Sequence, residues 1–174
     1  MLSGCSTISS LNPFAGDAKE ASAPSAPPAA TCPTAVVLRP LAQTAVFGPG
    51  AAHQPAGVAF YGILSDVEAK CDRSGGAVRA VLDVVVIGER GPAAGAADSV
   101  DLQYFVAVTG PDQAILSKRS LPVRIAVPGG AKRAGVTDHI EQLLPPGAPG
   151  ELSIMLGFQQ NPEVVEYYKR FRGR

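Results

Sequence analysis

From residue 33 to residue 160, apolar side chains recur at close to every second position, the period of an extended strand with one buried face. Leu102, Tyr104, Val106 and Val108 alternate with Gln103, Phe105, Ala107 and Thr109, and Gly110-Pro111-Asp112 then turns the chain as a hairpin. Val78, Ala80, Leu82, Val84 and Val86 share one face opposite Arg79 and Asp83. Val81, Val85 and Ile87 lie on that second face as well, which predicts a central strand covered on both sides. Leu121, Val123, Ile125 and Val127 form a further strand, in which Pro122 donates no ladder hydrogen bond and so belongs near an edge or at a strand start. Leu152, Ile154, Leu156 and Phe158 complete the set.

The remaining segments fit the same pattern with local breaks. Val58 and Phe60 fall on one parity, while Ile63, Val67, Ala69 and Cys71 fall on the other, so a bulge is expected at Gly62. Short strands are expected at Ala35 to Leu38 and Gln43 to Phe47, before Gly48-Pro49-Gly50. Val136 to Leu144 reads either as a helical turn capped by Thr137 or as a strand ending at Pro145-Pro146. Gly75-Gly76 and Gly129-Gly130 read as hairpin turns. Nineteen glycines, sixteen prolines and no tryptophan supply the turns that seven or eight short strands need. The expected fold is therefore an all-β sandwich over residues 32–160, immunoglobulin-like or fibronectin-like, with a small β-barrel as the alternative because periodicity does not fix strand order.

Residues 161–174 break the period. Asn161 is an N-cap type, Pro162 suits the first helical position, Glu163 suits the N-terminus, and Lys169, Arg170 and Arg172 suit the C-terminus. Val164, Tyr167, Tyr168 and Phe171 then form one stripe of a short helix. The stripe is expected to dock on the sandwich. The functional alternative is a contact surface made by Tyr167, Tyr168, Lys169, Arg170, Phe171 and Arg172, and burial of the stripe would leave only the charges for binding.

No chemistry is announced. His53 and His139 stand alone, the first in a Gly, Pro and Ala-rich loop and the second beside Asp138 and Glu141, where a carboxylate neighbour offers a weak acid-base arrangement. Nucleophile elbows, phosphate-binding glycine loops, calcium loops and zinc-protease pairs are absent from the sequence. No catalytic residue, cofactor or metal ligand set is expected, and the chain is read as a non-enzyme. Fifteen basic residues balance fifteen acidic ones, and no basic strip is interleaved with base-stacking aromatics, so nucleic acid is not an expected partner. A ligand-binding module using loops near 48–56 and 91–99 at one end of the sandwich is the second reading.

The first residues carry an address rather than an activity. Leu2-Ser3-Gly4-Cys5 is the sequence that bacterial lipoprotein signals present at their cleavage site, with Cys5 as the lipid acceptor. The apolar stretch that precedes such a site is expected upstream of Met1. Residues 6–31 are rich in Ser, Ala and Pro with few apolar side chains, the composition of a disordered spacer. By the flexible-chain estimate it would reach roughly 25 to 30 Å. Acyl chains on Cys5 would anchor the chain stably, since two or more chains hold where one is marginal. Ser6, where an aspartate would specify inner-membrane retention in enterobacterial lipoproteins, points to the periplasmic side of the outer membrane, with inner-membrane anchoring or a soluble periplasmic form as alternatives. Assigning Cys5 to lipid leaves Cys32 and Cys71 as a pair, either bridged across a loop of about forty residues or present as two buried thiols.

The Leu-Ser-Gly-Cys start, the spacer, Cys32-Pro33 with Val36-Val37-Leu38, and the Tyr104-to-Thr109 strand together resemble small envelope lipoproteins of alphaproteobacteria. The resemblance spans residues 2 to 160. It implies a membrane-tethered domain and brings no catalytic residue with it; the leading expectation for the sandwich itself is that it binds or braces another envelope component, with an envelope protein as partner.

Overall fold

The alternating segments form eight strands and the capped segment a helix: β1 Thr34–Val37, β2 Gln43–Phe47, β3 Val58–Asp72, β4 Arg79–Arg90, β5 Ser99–Thr109, β6 Ile115–Ala126, β7 Arg133–Leu143, β8 Ser153–Phe158 and α1 Pro162–Phe171. The computed structural model describes residues 32–72, 78–145 and 151–171. Cys5, the spacer 6–31, the turn at Gly75-Gly76 and Arg172 lie outside the described residues.

Two four-stranded sheets, ordered β1-β8-β5-β6 and β2-β3-β4-β7, make an all-β sandwich rather than a closed barrel. The strand order differs from the ABED and CFG sheets of an immunoglobulin constant domain, and β1 runs parallel to β8. Between the sheets lie the inward parities of the strands. Tyr104, Phe158, Leu82, Ile125, Ile154 and Leu156 are among the largest fully buried side chains, each contributing about 1.5 to 3 kcal/mol for an aliphatic or Phe side chain taken from water. Pro122 sits on edge strand β6, where its missing N–H breaks no central ladder.

Three local expectations are corrected, and one left open is decided. The ladder shifts near Ala59 and at Ser65 rather than at Gly62, which stays paired to Thr44 and Gly88. Gly62 answers a different need: a Cβ there would come within 2.8 Å of both Leu102 Cδ1 and Thr44 Cγ2, so the missing side chain permits the close approach of the two sheets. Strand β4 is central, but Val81, Val85 and Ile87 on its outer face remain half-buried, because the cover comes from flanking side chains rather than from a second layer. Gly129-Gly130 does turn the chain, with Ala131 N–H donating to Pro128 O at 2.8 Å, but it carries the chain from β6 in one sheet to β7 in the other and is not a hairpin. The Val136 to Leu144 ambiguity resolves as strand β7, paired along its length with β4.

Two devices tie the sheets together. Cys32 and Cys71 form a disulfide with Cα atoms 5.5 Å apart, joining the entry to β1 to the end of β3. Between the sheets, the Tyr104 hydroxyl of β5 donates to the half-buried Asp138 Oδ2 of β7 at 2.7 Å. Burial first, and then the bond to Asp138, holds the Tyr104 phenol well above the usual tyrosine range.

Candidate functional site

Helix α1 begins as its sequence dictates. The Asn161 side-chain oxygen accepts from Val164 N–H at 2.9 Å, and Lys169 pairs with Glu166 at 2.8 Å one turn later. Residues Ala45 and Tyr61, paired across β2 and β3, form with Val58 an apolar patch separate from the main core, and Tyr167 closes it. Val164 and Tyr167 are 4% and 6% exposed, while Tyr168 and Phe171 pack on the patch and stay partly exposed. The stripe therefore docks, but only its first half is sealed.

An aromatic cluster fixes the docking. The Tyr167 ring meets Phe47 and Tyr168 edge-on, with centroids 5.4 and 5.2 Å apart, and Phe171 lies 5.2 Å away in a tilted arrangement. Tyr167 and Tyr61 hydroxyls are 3.3 Å apart, and burial, followed by this bond, raises the Tyr167 phenol above its usual range. His53, in the loop after β2, stacks at 4.5 Å on Phe47 and reaches Glu163 of the helix at 3.6 Å.

Three of the clefts around the helix border its aromatic or charged side chains. One of about 310 Å³ is lined by His53, Pro162, Glu163, Glu166, Tyr167 and Arg170. A second of about 290 Å³ runs between Tyr168 and the Tyr61, Gly62 and Ile63 stretch of β3, with Glu89 and Gln43 at its margin. The third, about 460 Å³, lies between Pro40 and Leu41 on one side and Val165, Tyr168 and Lys169 on the other. All are open to solvent; each has a tyrosine in its wall, and the first is also lined by Glu163, Glu166 and Arg170. Of the residues expected at a contact surface, Tyr168, Lys169, Arg170 and Phe171 remain accessible, and Tyr167 belongs to the docking core.

The other expected features disperse. His139 Nδ1 lies 2.6 Å from Asp83 Oδ1 on the exposed outer face of its sheet. The loops at 48–56 and 91–99 do meet at one end of the sandwich, where the 91–99 loop is bonded to the start of β3. Gly91 N–H donates to Ala59 O at 2.7 Å, Ala93 N–H to Val58 O at 2.9 Å, and Gly48 approaches Ala93. Arg90, the last residue of β4 and one for which the sequence suggested no role, ties the 91–99 loop to the chain just after β6. Its guanidinium donates to the carbonyls of Gly95 at 2.8 Å and Val127 at 2.9 Å, and also to Ala97 O. Among the described residues, no three His, Cys, Asp or Glu side chains gather in a metal-binding arrangement, and no helix is long and apolar enough to cross a membrane. Compared with known protein families, curated proteins and solved structures, the chain matches none.

Proposed function

We propose that this chain is a lipid-anchored protein of the bacterial envelope whose β-sandwich binds or braces another envelope component without catalysing a reaction. The observation that carries this reading is the pairing of cysteines. Of three in the sequence, Cys32 and Cys71 are bonded to each other, which leaves Cys5 of Leu-Ser-Gly-Cys as the one cysteine outside that bond. Disulfides persist in the periplasm and rarely in a reducing cytosol, so the bond and the lipid-site motif point to the same compartment. Support for a contact role comes from helix α1, where Tyr168 borders two clefts and Lys169 and Arg170 face solvent. A ligand site built from the 48–56 and 91–99 loops has less support, because Arg90 and backbone bonds tie the 91–99 loop to Val127 and to the start of β3.

Fractionation tests the reading. The full chain, expressed with its native upstream sequence in a host that processes lipoproteins, is expected in the membrane fraction, and Cys5→Ser in the soluble periplasm. Identical fractionation of the two would sink the anchor. A photo-crosslinker at Tyr168 is expected to trap one discrete envelope protein in intact cells, with loss of the adduct in a Lys169→Glu, Arg170→Glu background; an adduct indifferent to that change argues against the contact surface.

A further inference from the structure

Large apolar side chains are left in water at one end of the sandwich. Ile115, Leu116 and Leu143 are 64%, 50% and 59% exposed, three of the four such residues among those described. Strict alternation would turn one of Ile115 and Leu116 inward, yet neither joins the core. They follow directly on the Gly110–Ala114 turn, which is closed by Gly110 N–H to Ala114 O at 3.0 Å and Ala114 N–H to Asp112 Oδ1 at 3.2 Å. Gln113 takes φ 63° in this turn, a left-handed conformation that costs a non-glycine residue energy. The fold thus holds two bulky apolar residues at a tip that its own packing does not use.

The strand register places this tip at the same end of the sandwich as the point where residues 6–31 join the fold, with β1 and β6 at the two edges of their sheet. In one sheet, Thr34, Ser153, Thr109 and Ile115 form a single row across β1, β8, β5 and β6. In the other, Asp72, Arg79 and Leu143 form the last row of β3, β4 and β7. The Cys32–Cys71 bond links the chain just before the first row to the residue just before Asp72, so both rows lie at one end. Loops 48–57 and 91–98 lie at the other end, since β2 and β4 run away from the tether before entering them. A lipid on Cys5, reached through a short segment that enters at Cys32, would bring this apolar end toward the membrane and keep its local lipid concentration high.

We propose that this end of the sandwich rests on the bilayer surface, with Ile115, Leu116 and Leu143 inserted among the head groups and the first acyl carbons. The inference rests on the lipid-anchor reading. Interfacial insertion of a few aliphatic side chains is weak alone, but it is sufficient to orient a domain already held at the surface. The opposite end and helix α1 are then presented away from the membrane.

Hydrogen exchange on an anchored full chain tests this. With Cys32 and Cys71 bonded, Cys5 is the available thiol, and it can be coupled to a maleimide lipid in vesicles of phosphatidylethanolamine and phosphatidylglycerol. The reference is the same chain coupled to a water-soluble maleimide. Amides at residues 113–118 and 143–144 are expected to exchange about tenfold more slowly on vesicles, with α1 unchanged. Ile115→Ser with Leu116→Ser is expected to abolish that difference while the core strands keep their protection; Leu116→Ser alone carries the test if the pair fails to fold. Equal rates on vesicles and in water overturn the proposal, including the case in which residues 6–31 themselves cover the tip. Protection that appears in the water-soluble conjugate as protein concentration rises assigns the tip to a second copy and also overturns it. Native protein carrying an unmodified Cys5 sinks the anchor reading independently of the vesicle result.

Discussion

Replacing Cys32 and Cys71 by alanine, in a Cys5→Ser background that removes thiol exchange, isolates what the cross-link contributes. The bonded residues are 39 apart in sequence, and closing a loop of that length in the unfolded chain corresponds to about 4 kcal/mol by the chain-entropy relation. The native cost of losing the bond adds to this at β1. That strand has four residues, lies at an edge and pairs only with β8, so the disulfide is the covalent restraint on the segment that precedes it. A domain of this size holds about 5 to 15 kcal/mol in all, so the double variant is expected to lose a quarter or more of its stability. In thermal terms, at about 2 to 4 °C per kcal/mol, the midpoint falls by about 8 to 16 °C. Urea unfolding followed by tyrosine fluorescence gives the free energy, and reduction of the parent protein by dithiothreitol should reproduce it. A loss below about 1 kcal/mol would refute the reasoning, because it would mean that the unfolded chain gains little freedom from the cut.

Two further expectations probe the core and the packed loops. Tyr104 and Tyr167 are held protonated in the folded state while their unfolded counterparts titrate near 10, so the unfolded chain binds fewer protons at alkaline pH and stability is full below about 10 and falls above it. Urea titrations between pH 9 and 11 should show this fall, Tyr104→Phe should make it shallower while costing about 1 to 3 kcal/mol at neutral pH through the orphaned Asp138, and an unchanged slope would contradict the assignment. Gly91→Ala places a Cβ against the Val58 carbonyl, which already accepts from Ala93 N–H at 2.9 Å, and is expected to cost about 2 to 3 kcal/mol. Gly129→Ala, with open space around it, should change stability by less than about 0.5 kcal/mol, and equal effects at the two glycines would show that the loop packing is misread.

Strand existence was legible wherever one face alternated cleanly, as in Leu102 to Thr109, and the helix was legible because Asn161-Pro162 both caps and starts it. Strand order was not, since alternation reports which face is buried and carries nothing about which neighbour shares the ladder; the parallel β1–β8 pair and the β6-to-β7 change of sheet are visible only in space. Gly62 was legible as special but for a different reason, because a missing side chain serves a bulge and a tight inter-sheet contact equally well. The Tyr104–Asp138 bond was missed although a signal exists. Asp138 shares the inward parity of Val136 and Ile140, and a carboxylate on an apolar face asks for a donor. Cys32 with Cys71 was one of two arrangements that the cysteine count left open, and the structure realises the bonded one. Ile115 and Leu116 pass as the opening of a strand when read in one dimension; only the registers of the two sheets put them at the same end as Leu143 and the entry of the tether.

The account turns on what Cys5 carries. Intact-protein and peptide mass spectrometry of native protein extracted from membranes with detergent reads it directly, together with the oxidation state of the other two cysteines. The account predicts a mature chain that begins at Cys5, bears acyl groups on that residue and retains the Cys32–Cys71 bond on non-reducing digestion. A chain with an unmodified Cys5 thiol, or with Cys32 and Cys71 reduced in protein taken directly from cells, would contradict it.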